Sequence, residues 1–147
     1  MLWTVREMAD TAPMPEENIE LVKRLLLAYR QSDFPATLAL LDEKVRVYPR
    51  SEEPGVSEVY EGHDGLFEYL GNWLGQWDDY ETEPISFRDA PGDQVMVVMT
   101  ERGHLKRSGI TLDEEFTHSF AVESGTVTEW RMYDSNPQAL EALGLKP

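Results

Sequence analysis

His118 lies between Phe116 and Phe120 on a strand pattern over residues 110–122. Imidazole is the side chain whose ordinary titration falls near neutral pH, which suits it to general acid–base work. Its neighbours two residues away on either side are aromatic, so on a strand all three share a face. Tyr48, at the end of an earlier strand pattern, is a candidate hydrogen-bond donor to an oxygen that gains charge during proton transfer. A second constellation pairs unlike charges: Arg102, Glu114 and Asp134 come from three successive strands and form an acid–base–acid row. The same residues would also suit a salt-bridge cluster at a pocket rim.

The elements that must position these groups are three consecutive strands over residues 94–106, 110–122 and 126–134. Arg107-Ser108-Gly109 and Glu123-Ser124-Gly125 join them. Both connectors read as three-residue hairpin loops, a type I turn followed by a left-handed glycine. Loop length fixes register, and register decides which side chains share a face. With these loops one face carries Met96, Val98, Thr100, Arg102 and His104 from the first strand. The second adds Leu112, Glu114, Phe116, His118, Phe120 and Val122, and the third adds Thr128, Trp130, Met132 and Asp134. A two-residue turn at Ser124-Gly125 would instead mix Glu129 and Arg131 into the apolar stripe. The opposite face then holds Val95, Val97, Met99, Thr117, Ser119, Ala121, Val127, Glu129, Arg131 and Tyr133. It is too apolar for a wetted surface, so a second subunit or the N-terminal segment with Trp3 should cover it.

Upstream, Pro15 opens a helix with Glu16 and Glu17 in its first turn, favourable against the helix dipole. Ile19, Val22, Leu25, Leu26 and Tyr29 follow at helical spacing. Asp33-Phe34-Pro35 breaks it, and a short helix spans 36–41. Residues 45–48 read as a strand and 49–57 as a loop. A third helix starts near Gly62 and carries Leu66, Phe67, Leu70, Trp73, Leu74 and Trp77. A strand spans 80–87, and a final short helix, 137–143, stops at Gly144. Residues 1–14 read as a flexible leader before a single domain over 15–147. Helices segregated from a mostly antiparallel sheet make the class α+β, a cone with one open end. Tyr29, Tyr60, Trp73, Trp77, Trp130, Met96, Val98, Thr100, Phe116 and Met132 are its candidate pocket wall, suited to a small, mostly apolar organic molecule.

Composition removes several function classes. The formal charge of −15 would repel a phosphate backbone, so nucleic acid is not an expected partner. With no cysteine there is no disulfide or thiolate chemistry. No apolar run reaches the ~20 residues of a bilayer span, and no signal-peptide pattern opens the chain. A cytoplasmic location is the expectation, and no membrane is an expected partner. His63, His104 and His118 sit on different elements without metal-ligand spacing, so neither metal nor cofactor is expected.

Several segments resemble the SnoaL-like branch of the nuclear transport factor 2 superfamily. They are residues 25–41 (LLLAYRQSDFPATLALL), 60–70 (YEGHDGLFEYL), Ser108-Gly109, 116–127 (FTHSFAVESGTV), and Tyr133 with 139–145 (ALEALGL). The resemblance implies a curved sheet around a deep pocket closed by three helices, with frequent homodimers through the outer sheet face. Its members include ketosteroid isomerases, polyketide cyclases, epoxide hydrolases and non-catalytic binding domains, so fold leaves activity open. The isomerase roles fall on altered positions: the base near Tyr48, the tyrosine donor on Leu25 with Tyr29 one turn later, the acid donor on His118. The cyclase comparison places its single acid/base on His118. The epoxide hydrolase comparison matches its Asp-Arg-Asp cluster to Glu114, Arg102 and Asp134. The reading is therefore a homodimeric pocket protein carrying out cofactor-free proton transfer of isomerase or cyclase type through His118. The alternatives are a binding or dimerisation module without turnover, and water addition to an epoxide.

Overall fold

Apolar residues recur along Pro15–Arg30 at one-sided spacing, and that stretch forms helix α1. Leu21, Val22, Leu25 and Leu26 are all buried, a stripe that the helical period brings onto one face. The computed structural model describes residues 15–51, 53 and 57–147; the leader expected over 1–14 lies outside these residues. The order continues α2 (Phe34–Ala39), β1 (Leu41–Tyr48), β2 (Tyr60–Glu61), α3 (Gly62–Leu74), β3 (Trp77–Ala90), β4 (Gln94–Leu105), β5 (Thr111–Glu123), β6 (Thr126–Met132) and α4 (Asn136–Leu143). Asp33 caps α2 through Ala36 N–H, and Ser135 caps α4 through Gln138 N–H. The architecture is α+β, as expected from the sequence. Strand β2 is the element that the sequence reading does not contain, and β3 runs further at both ends than expected.

The six strands form one sheet in the order β2-β1-β6-β5-β4-β3. Only the β1–β6 pair is parallel. Helices α1 and α3 pack on its inner face, where Leu25, Leu26, Val45, Val47, Leu66, Val95, Val97, Met99, Phe120 and Val127 share one core. Helix α4 crosses to the other side. Its Leu140 and Leu143 pack with Ala90 and Met96, and Val98 lies against them.

Both hairpin loops differ from the lengths read off the sequence, with opposite consequences. Between β4 and β5 the loop has four residues. Leu105 N–H donates to Ile110 O at 2.8 Å, and Gly109 N–H donates to Leu105 O at 2.7 Å. Lys106 N–H is taken by Gln76 O at 2.9 Å, so pairing ends one residue early. That shift turns β4 over. Val95, Val97, Met99 and Glu101 point inward, and Met96, Val98, Thr100 and Arg102 point outward. Between β5 and β6 the loop is the two-residue turn Ser124-Gly125, both residues at positive φ, 52° and 81°. Such a turn matches strand twist. A bulge between Ala121 and Val122 then moves the register by one more residue. The two displacements restore the face, so Phe120 opposes Trp130 and His118 opposes Met132.

The corrected register also removes the apolar outer face inferred from sequence. Val95, Val97, Met99 and Val127 belong to the core, and α4 covers Met96.

Gly125 occupies its left-handed position with open space around its missing Cβ. Gly125→Ala therefore meets no atom and costs only backbone strain, about 1–2 kcal/mol. Urea unfolding of the variant checks it; an unchanged midpoint would contradict the turn.

Candidate functional site

A buried carboxylate sits at the centre of the cone. Glu101 is 3% exposed and reaches inward from β4. Its Oε2 accepts from Arg50 Nη1 at 3.2 Å, and its Oε1 accepts from the Tyr80 hydroxyl. Arg50 follows β1, and its guanidinium stacks on Phe116, 3.6 Å from the ring centroid, with Trp73 at 5.3 Å. Planar, delocalised and weakly hydrated, guanidinium is the cation that tolerates such a place. Glu53 closes the other side. It accepts from Arg50 N–H and from the Tyr69 hydroxyl, each at 2.9 Å.

His118 faces this network from β5. Trp130 Nε1–H donates to His118 Nδ1 at 3.0 Å. A bare Nδ1 puts the proton of the neutral ring on Nε2. That Nε2 lies 3.6 Å from Glu101 Oε2, too long for a hydrogen bond, and has no partner among the described residues. The imidazole is thus a fixed donor without an acceptor among the described residues, and a buried polar atom of this kind calls for a partner, a water or a ligand atom, in the adjoining space.

Burial alone pushes the Glu101 carboxyl up. The His118 ring, the Arg50 guanidinium and the Tyr80 hydroxyl outweigh it and hold the group down at about 2. Given the 3.6 Å gap to His118, Arg50 and Tyr80 are the firm holders. Burial raises Tyr80, Tyr29 and Tyr69, and a carboxylate beside each adds to it: Glu101 for Tyr80 and Tyr29, Glu53 for Tyr69. Burial also raises Glu53, against the pull of Arg50 and Tyr69.

Two spaces adjoin the network. One is internal, about 20 Å³, lined among others by Glu101, His118, Trp73, Trp130 and Met132. It is large enough for about one water. The other is an outer groove of about 670 Å³ between the end of α1, the α1–α2 turn and β3.

The structure brings together only part of the set read from sequence. His118, Phe116, Trp130, Met132, Trp73 and Tyr29 meet in the cone; Tyr29 stands edge-on to Trp130 at 5.9 Å. Met96, Val98 and Thr100 are on the opposite face, because the first hairpin loop is one residue longer than the spacing suggests. Tyr48 alternates with the inward Val47, and its ring lies under Arg131 at 3.9 Å. Tyr60 is buried, but its hydroxyl is used by Ser57 N–H and Asn72. Trp77 is half-buried against Trp73 at 5.3 Å, with its indole nitrogen unpartnered among the described residues.

The acid–base–acid row does not form. Arg102 pairs with Asp113 at 3.3 Å on the surface, Glu114 is exposed opposite Glu101 in register, and Asp134 binds the backbone and hydroxyl of Ser51. Sequence reasoning missed Glu101, Arg50, Glu53, Tyr69 and Tyr80. The signal for Glu101 was loop length alone: a four-residue loop places it on the face of Phe116 and His118.

The SnoaL-like domain model matches residues 22–130. The chain belongs to the SnoaL-like domain family. Solved structures agree in fold with this SnoaL-like chain. TerC co-crystallised with polyporic acid is 23% identical, covering 86% of this chain and 97% of that one, with a TM-score of 0.71. Bal32a, from a soil-derived mobile gene cassette, is 18% identical over 88% and 97%, with a TM-score of 0.72. An NTF2-like protein of Burkholderia xenovorans LB400 is 24% identical over 90% and 99%, with a TM-score of 0.70. No curated protein sequence matches the chain. Among the described residues no helix is long and apolar enough to cross a membrane.

Proposed function

We propose that this SnoaL-like protein binds a small, mostly apolar organic molecule beside Glu101 and His118 and moves a proton on it with its own side chains. The unpartnered Nε2–H of His118, buried and facing a buried carboxylate, carries this reading. In the reaction class it suits, a carbonyl oxygen accepts from His118 Nε2–H. Glu101 takes a proton from the adjacent carbon, and the electron pair moves onto that oxygen. Returning the proton to another carbon completes an isomerisation, and no oxidant or reductant is needed. The Trp130 bond supports this division of roles: with Nδ1 occupied, the imidazole would stabilise the oxygen and the carboxylate would be the base. The aromatic walls exclude water, which strengthens both interactions.

The test is exchange of the α-protons of 2-tetralone into deuterated water, followed by proton NMR. The wild-type protein should exceed buffer, and Glu101→Gln should lose about 10²–10⁴ of that rate, the usual worth of a positioned base. Exchange no faster than buffer overturns the proton-transfer reading. The small internal space, about 20 Å³, favours a second reading, a ligand-binding module without turnover. Saturable binding of 2-tetralone without exchange would establish that one.

A further inference from the structure

One thin wall separates the outer groove from the internal space. Tyr29, Tyr80 and Thr82 line both. Tyr80 is the tethered part of that wall. Its hydroxyl donates to Glu101 Oε1, and its ring stands edge-on to Trp73 with centroids 6.2 Å apart.

The donors and acceptors behind the wall define what can replace it. Glu101 offers acceptor oxygens, and His118 offers an Nε2–H that no described residue accepts. The His118 side chain is only 6% exposed, so bulk water does not serve it freely. A group placed between them must donate to the carboxylate and accept from the imidazole. A hydroxyl does both, a carboxylate lacks the donor, and an ammonium lacks the acceptor. The Tyr80 hydroxyl fulfils the first half of that requirement from within the chain.

Resting on the site reading above, we propose that Tyr80 is a gate between the groove and the Glu101–His118 site. The ligand that displaces it is a planar ring bearing a phenolic or enolic hydroxyl, which takes over Tyr80's place on Glu101. The exchange replaces one hydroxyl–carboxylate bond with another, so opening the gate costs little once the ligand is present. A ligand hydroxyl seated deeper than that of Tyr80, towards Glu101 Oε2, also reaches the His118 donor, and its ring meets Trp73, Tyr69 and Trp130. The space vacated by the Tyr80 ring joins the internal cavity to the groove.

The experiment uses 2-naphthol as the probe and naphthalene as its control without a hydroxyl. Stopped-flow tryptophan fluorescence gives association rates, and the ¹⁵N resonance of His118 Nε2 locates the bound probe. Tyr80→Phe keeps the ring and removes only the tether, so 2-naphthol should associate about tenfold faster than with the wild-type protein, as expected for one hydrogen bond to a charged group. The milder Tyr80→Phe carries the test even where Tyr80→Ala fails to fold. In the wild-type protein 2-naphthol should bind more tightly than naphthalene and shift the His118 Nε2 resonance. Equal association rates in wild type and Tyr80→Phe overturn the gate. Equal affinity for the two probes, or 2-naphthol binding without a shift at His118, overturns the hydroxyl assignment. Proton exchange of 2-tetralone that persists in either case leaves the site reading standing while this proposal falls.

Discussion

Replacing Glu101 with Leu is expected to lower the unfolding free energy by about 3–5 kcal/mol, the cost of stranding a buried charge. Urea denaturation at pH 7 measures it, and an unchanged m-value would keep the comparison clean. Arg50 is 7% exposed and lies flat on Phe116, so its guanidinium cannot reach water when its partner is gone. Glu53 feels the Arg50 charge but hydrogen-bonds its backbone rather than its side chain, so it offsets the loss of Glu101 only in part. The companion variant separates charge from packing. Adding Arg50→Met to Glu101→Leu removes the stranded cation and leaves a flexible apolar side chain between Phe116 and Trp73. More than roughly half of the loss should return in the double variant, because the two residues are directly coupled. If the double variant is as unstable as Glu101→Leu alone, the buried pair is not what the carboxylate sustains, and its role is shape.

How much of this was legible follows from where the sequence pattern is one-sided. Helix α1 was, because Val22, Leu25 and Leu26 recur at helical spacing beside exposed glutamates and lysine. So were β5 and β6, whose inward residues Phe116, His118, Phe120, Trp130 and Met132 were correctly grouped. That grouping held through two compensating displacements, the shorter turn at Ser124-Gly125 and the bulge after Ala121. Strand β4 was opaque. Val95, Met96, Val97, Val98 and Met99 are apolar on both faces because the core takes one side and α4 the other. With no alternation to fix its register, one residue of loop length decided the outcome. A three-residue loop would put Glu101 on the outer face. Arg50 and Glu53 had no periodic pattern at all, since they lie in a connecting segment and meet the site only through the fold.

The pH dependence of stability should carry the signature of Glu101 in a difference between proteins rather than in the wild-type curve. With 28 acidic and 13 basic residues, mild acid first relieves repulsion across the surface and obscures any single group. For Glu101 the carboxyl is held at about 2 in the folded state, against an ordinary value of 4.5. A depressed folded value means that the stabilisation is fully present above about 4.5 and is lost as pH falls towards 2. The gap between wild type and Glu101→Gln, measured by urea unfolding, should therefore shrink by about 3 kcal/mol over that window. Glu53 runs the other way. Its folded value is raised by burial, so its contribution is greatest in acid and declines as pH rises above the unfolded value. The gap between wild type and Glu53→Gln should accordingly move in the opposite direction on acidification. A Glu101 gap that stays constant from pH 7 down to about 2 would mean that the carboxylate titrates as an ordinary one, and that Arg50 and Tyr80 do not hold it. Opposed slopes from two carboxylates that flank one arginine would place the charge of the cone on Glu101 and the neutralisable group on Glu53.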